Sequence, residues 1–329
     1  MNWTDGLINE LLERMNDPEY NTYPKLAEYA SGRLQQPIHP EQLRGALRRA
    51  RAQERLDVVR SEAAQPRRLE AASPVSPRPA STSYPPTRIR FAAIGDTHLG
   101  SKYHLPGALN AFYDIVQREG IRDVYHTGNY VDGEARFNVD DIHVFGMDNQ
   151  LRYMVETYPM RDGVTTHYIS GDDHEGWWRG VNVGERLQDI ATRAGRNDLQ
   201  YLGYMESDVV WTLPDGNPFV VRVQHPGKGS AYAVSFTSQK IVDSWAYEDG
   251  DTKPDILLIG HYHKAEYLPN YRGTHVIQTG AFQSITPFMR KQRLRADIGG
   301  WIVDVSFESD AVRVKTEFIH FPTAKWKHR

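Results

Sequence analysis

The sequence predicts an α/β fold, a β-sandwich with sheets inside and helices outside, preceded by a small helical domain. Three observations predict it. From residue 88 onward, short apolar strands alternate with amphipathic helices and then give way to an antiparallel run. Over residues 1–60 the apolar residues recur at helical spacing instead. Between these regions, residues 61–88 hold six of the 19 prolines (66, 74, 77, 79, 85 and 86) among Ala, Ser and Arg, with little to bury. Such a stretch reads as a linker. The expected division is a small helical domain over 1–60, a Pro-rich linker over 61–88 and a large domain over 89–329.

The elements follow in order. Leu7, Ile8, Leu11 and Leu12 stand at helical spacing behind a cap at Thr4 or Asp5. A second helix fits residues 23–30, with Pro24 at an early helical position. A third fits 40–59, with Leu43, Ala46 and Leu47 on one face. Residues 41–60 carry six Arg (44, 48, 49, 51, 55 and 60) against three acids (41, 54 and 57). That excess is compatible with a solvated face, and also with a winged-helix or helix-turn-helix-like module that binds DNA. In the large domain, 88–95, 123–127, 164–170, 255–259, 275–279, 301–305 and 312–318 are short apolar runs of strand length. Residues 209–213 and 219–224 flank Pro214-Asp215-Gly216-Asn217-Pro218 and read as a hairpin. Helical periodicity covers 105–118, 141–158, 183–194 and 235–246.

Composition narrows the function classes. A chain of 329 residues buries a core without covalent or metal staples. Its net charge of −3 gives no global basic field, so a nucleic acid must be met by local patches. With no cysteine, thiolate zinc sites, iron–sulfur clusters and cysteine nucleophiles are excluded. No apolar run approaches membrane-spanning length, and the first residues lack a basic, apolar leader. The expected location is the cytoplasm, with no membrane partner.

The polar clusters each follow an expected strand. They are Gly95-Asp96-Thr97-His98-Leu99-Gly100, Gly128-Asn129-Tyr130-Val131-Asp132-Gly133, Gly171-Asp172-Asp173-His174-Glu175, Gln224-His225-Pro226-Gly227 and Gly260-His261-Tyr262-His263. Ligand sites in α/β sheets gather outside the carboxyl ends of strands, so the five loops are expected to converge. Imidazole and carboxylate ligands suit zinc, manganese or iron. So many ligand-type residues point to a pair of ions that clamp a phosphoester and activate water.

In this order the motifs resemble the calcineurin-like metallophosphoesterase family. The resemblance rests on Asp96-x-His98, Gly128-Asn129-x-x-Asp132, Asp173-His174-Glu175, His225 and Gly260-His261-x-His263, and spans about residues 90–318. It implies a metallophosphoesterase-type sandwich that hydrolyses phosphodiesters. Asp96, His98 and His263 would hold one ion and Asp173, His225 and His261 the other, with residue 129 bridging. His174 would act at the leaving oxygen, and Asp132 would orient a ligand or loop. The runs Asp96–Lys102, Gly280–Gln283 and Phe288–Lys291 are similar to the family's DNA exonuclease branch, which implies Mn2+, a DNA substrate and a replication or repair partner protein. The ligand set alone allows Zn2+ or Fe2+ equally.

Two positions depart from the family pattern. Asn129 stands where the family bridges with Asp, and Asp173 where it has Asn. An amide offers one neutral oxygen and screens two cations poorly. Three readings stay open: an Asp/Asn exchange, a substitution made to silence the enzyme, and a degenerate site. The exchange explains both departures at once. The register of the third motif is also open by one residue, with Asp172 as the other ligand candidate. Candidate substrate contacts are Lys102 and Lys228 beside the ligands, Trp177 and Trp178 as a stacking platform, and Arg290 and Lys291 in a basic loop. Two further functions are weighed: a phosphodiesterase for small or cyclic nucleotides, and a scaffold subunit without catalysis.

Overall fold

The computed structural model describes residues 4–15, 17, 19–20, 22–47, 87–135, 138–171, 174–227, 235–245, 253–308 and 311–322. Helix α1 (Asp5–Arg14) is capped by Thr4, whose side chain accepts from the Leu7 amide at 3.4 Å. Helix α2 (Tyr23–Leu34) runs past the expected end and stops where Gln35 turns left-handed at φ 53°. A third helix, α3, covers residues 40–47. Leu7, Leu11, Leu26, Ala30, Leu43 and Leu47 share one buried core. Arginines 48, 49, 51, 55 and 60 and nearly all of the linker lie outside the described residues.

The large domain has four layers. The first sheet runs β13-β12-β1-β2-β3-β6 and the second β10-β11-β9-β8-β7. The first comprises β1 (Arg88–Ile94), β2 (Asp123–His126), β3 (Thr165–Ser170), β6 (Leu199–Tyr204), β12 (Gly299–Phe307) and β13 (Val312–His320). The second comprises β7 (Glu206–Thr212), β8 (Pro218–Gln224), β9 (Ile256–Ile259), β10 (Ala265–Tyr271) and β11 (Thr274–Thr279). Strands β1, β2 and β3 are parallel, and so are β8 and β9. In β1 the side chains alternate between faces, as strand geometry requires. Phe91 and Ala93 enter the core between the sheets, where they join Val221, Val223, Leu258 and Val303. Ala92 and Ile94 turn outward under α4 (Pro106–Arg118), α5 (Met147–Thr157) and α6 (Val183–Arg193), against Phe112, Leu151 and Leu187. On the opposite side α7 (Phe236–Ser244) covers Leu257, Ile259 and Val276 with Val242. The predicted sandwich, sheets inside and helices outside, is the observed one.

The differences have local causes. The helix expected over 141–158 begins only at Met147, after Gly146 at φ 86°. Residues 138–146 form a tied loop, because the His143 amide bonds to the Gly100 carbonyl at 2.8 Å and the Gly146 amide to the Glu134 carboxylate. Strands β6 and β10, both unforeseen, are sheet edges. β10 contains Pro269, which an edge tolerates, and β6 contains Gly203, so neither shows clean alternation. The small hairpin β4 (Trp177–Trp178) and β5 (Val181–Asn182) was also hidden, being two residues per strand. Arg290 and Lys291, expected in a loop, end a short helix, α8 (Pro287–Lys291), capped by Thr286. No helix among the described residues is long and apolar enough to cross a membrane.

Candidate metal centre

The motif loops leave the carboxyl ends of β1, β2, β3, β8 and β9, and backbone bonds draw them together. The Asp96 amide bonds to the Gly128 carbonyl at 3.0 Å, and the His98 amide to the Asn129 carbonyl at 2.9 Å. From the second sheet, the His261 amide donates to Asp96 Oδ2 at 2.9 Å. The turns are tight enough that Asp96, His98, Asn129, His261 and His263 adopt φ of 51°, 48°, 54°, 78° and 54°. For residues with a Cβ this left-handed conformation is costly, and it concentrates where structure serves a site.

Asp96, His98 and His263 converge and are buried. His98 Nε2 and His263 Nε2 are 3.1 Å apart, and Asp96 Oδ1 lies 3.9 and 3.5 Å from them. Ligands about 2.0–2.2 Å from one cation stand about 3–4 Å from each other, so these donors fit a divalent ion. His98 gives its Nδ1–H to Asp132 Oδ1 at 2.8 Å, which leaves Nε2 facing the other donors. Burial alone would raise the Asp132 carboxyl. The hydrogen bond from His98, the charges of His98 and His174 and the amide of Gln283 outweigh it and hold the group below the usual carboxylate range.

Around a second point stand His225, Asn129 and His261. His225 is fully buried and gives Nδ1–H to the Thr127 carbonyl at 2.6 Å. A Cβ on Gly171 would lie 2.9 Å from Asn129 Oδ1 and 3.0 Å from His225 Nε2, so both atoms border the same spot. The His225 and His261 rings meet edge to face at 5.3 Å. Asn129 Oδ1 is buried and accepts no hydrogen bond among the described residues. A buried amide oxygen left without a donor costs about 1–3 kcal/mol, which a cation bound to that oxygen would offset. Asp173, the remaining expected ligand, lies outside the described residues with Asp172 and Lys228.

His174 stands beside the first group. Its ring meets that of His98 edge to face at 4.6 Å, and its Nδ1–H goes to the Asp132 carbonyl at 2.6 Å. Gly133 makes this approach possible. At φ +59°, a Cβ there would sit 2.0 Å from the His174 carbonyl oxygen. Gly133→Ala is expected to force the second and third loops apart and cost about 1–3 kcal/mol. Thermal unfolding checks this, and an unchanged midpoint would refute it.

The substrate candidates divide. Trp177 is 55% exposed, with its ring 6.4 Å from that of Tyr204. Trp178 is half-buried and packs on the helix-side core, with Arg179 5.9 Å from its ring centre. Lys102 Nζ donates to the Asp140 carbonyl at 2.9 Å. Arg290 and Lys291 are exposed and form no ion pair among the described residues. Three supporting residues had no role assigned from sequence. Glu175 accepts from the Asn129 amide, and from the Gly171 amide at 3.1 Å. Gln283 donates to Asp132 Oδ1 and Ser101 Oγ, each at 3.0 Å. Asn138 donates to the Asp132 carbonyl and carboxylate at 2.8 and 3.0 Å. Glu175 and Gln283 were visible inside the motifs, whereas nothing in the sequence marked Asn138. His126 is structural. Burial, with His225 and His98 nearby, pushes it down to about 3, and the neutral ring links the Gly128 amide to the Thr97 hydroxyl.

The fold and the site thus define an α/β sandwich with buried imidazole and carboxylate donors at the ends of its parallel strands. No protein-family model matches the chain, and no curated protein matches it. Among solved structures, it is similar to zinc-complexed Vps29 from Entamoeba histolytica at 14% identity and TM-score 0.34, over 70% of this chain and 99% of that one. Vps29 from Cryptosporidium parvum gives 14% identity and TM-score 0.32, over 71% and 99%. A 5'-nucleotidase from Candida albicans gives 11% identity and TM-score 0.34, over 77% of this chain and 55% of that one. Likeness at this level adds no weight to what the residues themselves say.

Proposed function

We propose that the chain is a metal-dependent phosphodiesterase of the calcineurin-like kind, and that its substrate is DNA. The observation that carries this reading is the convergence of Asp96 Oδ1, His98 Nε2 and His263 Nε2 within 3.1–3.9 Å at the strand ends. In this reading those residues hold one divalent ion, and His225, His261, Asn129 and Asp173 hold the other. Manganese is the preferred metal. When bound, such ions draw charge from phosphoryl oxygens and lower the pKa of water. The protein does the rest. Asp132 fixes the His98 ring, and Glu175 locks the second loop to the third through the Asn129 and Gly171 amides. His174, with Nδ1–H held by the Asp132 carbonyl, delivers a proton from Nε2 to the leaving oxygen. Exposed Arg290, Lys291 and Trp177 supply the cations and the ring face that a nucleic-acid strand requires. The motif resemblance favours a replication or repair partner.

One observation favours a second reading. Asn129 brings a neutral oxygen beside His225 Nε2, which weakens the second ion's hold and fits a scaffold. The deciding experiment is manganese-dependent cleavage of end-labelled single- and double-stranded DNA by this chain and by Asn129→Asp. Cleavage by the unaltered chain is expected, with a gain of about tenfold at low Mn2+ in Asn129→Asp. Cleavage by the variant alone would make this chain a silenced form. No cleavage by either, with ions bound, would overturn the DNA reading.

A further inference from the structure

The N-terminal helices reach the metal centre through one stretch of chain. Residues 138–146 lie between Asp132 and α5, and they touch both of the first two motif loops. The Lys102 amide donates to the Asp141 carbonyl at 2.7 Å, and the His143 amide to that of Gly100 at 2.8 Å. Asn138 is buried, and both the nitrogen and the oxygen of its side chain are engaged. It holds Asp132 through two bonds at 2.8 and 3.0 Å and accepts from the Ala135 amide at 2.7 Å. Asp132 in turn fixes His98 at 2.8 Å. Gln150 of α5 closes the loop from behind, bonding both polar groups of Gly133 and the Val144 carbonyl.

The outer side of this stretch is where the helical unit docks. Tyr23 of α2 meets Phe145 edge to face at 5.3 Å, and Phe145 joins the helical unit's own apolar core. Arg44 of α3 forms an ion pair with Asp140, and also with Glu41 at 3.0 Å, while its guanidinium stands 5.6 Å from the Tyr23 ring centre. Asn149 Nδ2 donates to the Met15 carbonyl at 3.3 Å. Arg44, part of the basic stretch read from sequence, is therefore committed to the large domain and not to a ligand.

We infer that the N-terminal helical unit is a positioning element of the metal centre. Docked on residues 138–149, it keeps Asn138 against Asp132, and through Asp132 it keeps His98 in line with Asp96 and His263. Asn138, Arg44 and Tyr23 are positioning residues, since each acts through Asp132 and none touches the donor atoms. The inference rests on Asp96, His98 and His263 being ion ligands.

The test is a double-mutant cycle on the full chain with Mn2+ alone as the probe. Arg44→Glu and Asp140→Arg are each expected to weaken binding of the first ion about threefold to tenfold, and the double reversal to recover most of that loss. Asn138→Ala is expected to weaken it about tenfold or more. Deuterium uptake over 138–146 and 98–101 should rise in the single variants and fall back in the double one. Unchanged Mn2+ affinity in single variants whose 138–146 amides have opened would overturn the inference, as would a double variant that recovers nothing. A chain that binds no Mn2+ in unaltered form would instead strike the reading of the donor group itself. Tyr23→Ala gives an independent check, because it leaves every charge in place and should weaken Mn2+ binding in the same direction.

Discussion

Asp96→Asn is expected to empty the first donor group of its ion and to lower phosphodiester hydrolysis by about 10²–10³-fold or more. The carboxylate is fully buried and serves on both oxygens. Oδ1 faces the two imidazoles, 3.9 Å from His98 and 3.5 Å from His263, while Oδ2 accepts the His261 amide at 2.9 Å. Asparagine matches its shape but carries no charge, and it has a single acceptor oxygen for those two tasks. If that oxygen stays with His261, an N–H enters the ligand position. If it turns inward, the His261 amide loses its acceptor and the fifth loop loses its hold on the first. Either way the charge that balances a divalent cation is gone. Ion content after dialysis, together with hydrolysis of bis(p-nitrophenyl) phosphate, measures both effects. Wild-type ion content with activity within threefold of the unaltered chain would remove Asp96 from the centre.

His174→Ala should separate binding from chemistry. His174 Nδ1 is engaged by the Asp132 carbonyl, and its ring stands 4.6 Å from that of His98 without belonging to the Asp96–His98–His263 group. Its removal should leave ion content unchanged and lower kcat by about 10²–10⁴-fold, the range of a positioned proton donor. The loss should shrink for a substrate whose leaving group is already a good one, such as p-nitrophenolate. Loss of the ion in this variant would instead make His174 a ligand. An equal loss for good and poor leaving groups would deny it the proton-transfer role.

Much of the architecture was legible because strands and helices announce themselves by period. β1, β8 and β9 are apolar runs that end at glycine or histidine motifs, and the motifs gave the loops their order. The edges were not legible. β10, interrupted by Pro269, and the two-residue strands of the Trp177 hairpin carry too little pattern to read. In the site, the residue types pointed to the donors but not to what holds them. Asn138 reaches Asp132 because residues 138–146 fold back instead of starting a helix, and that depends on Gly146 and Glu134 taking up each other's polar groups. Nor could spacing reveal that Asp96, His98, Asn129, His261 and His263 all bend into left-handed backbone. Such a conformation is fixed by the docked loops and not by local preference.

The donors come from both sheets. Asp96 and His98 follow β1 of the first, and His263 follows β9 of the second. In the proposed reading, an ion shared among them would act as a rivet through the seam of the sandwich. Residues 96 and 263 cannot meet until the two halves have closed, so the unfolded chain offers no comparable grip. Binding that favours only the closed form adds stability in proportion to the logarithm of free ion over its dissociation constant. With such an ion bound, the durability of this fold would be partly on loan from its surroundings, and a change in available divalent metal would be felt along the whole seam before any substrate arrived.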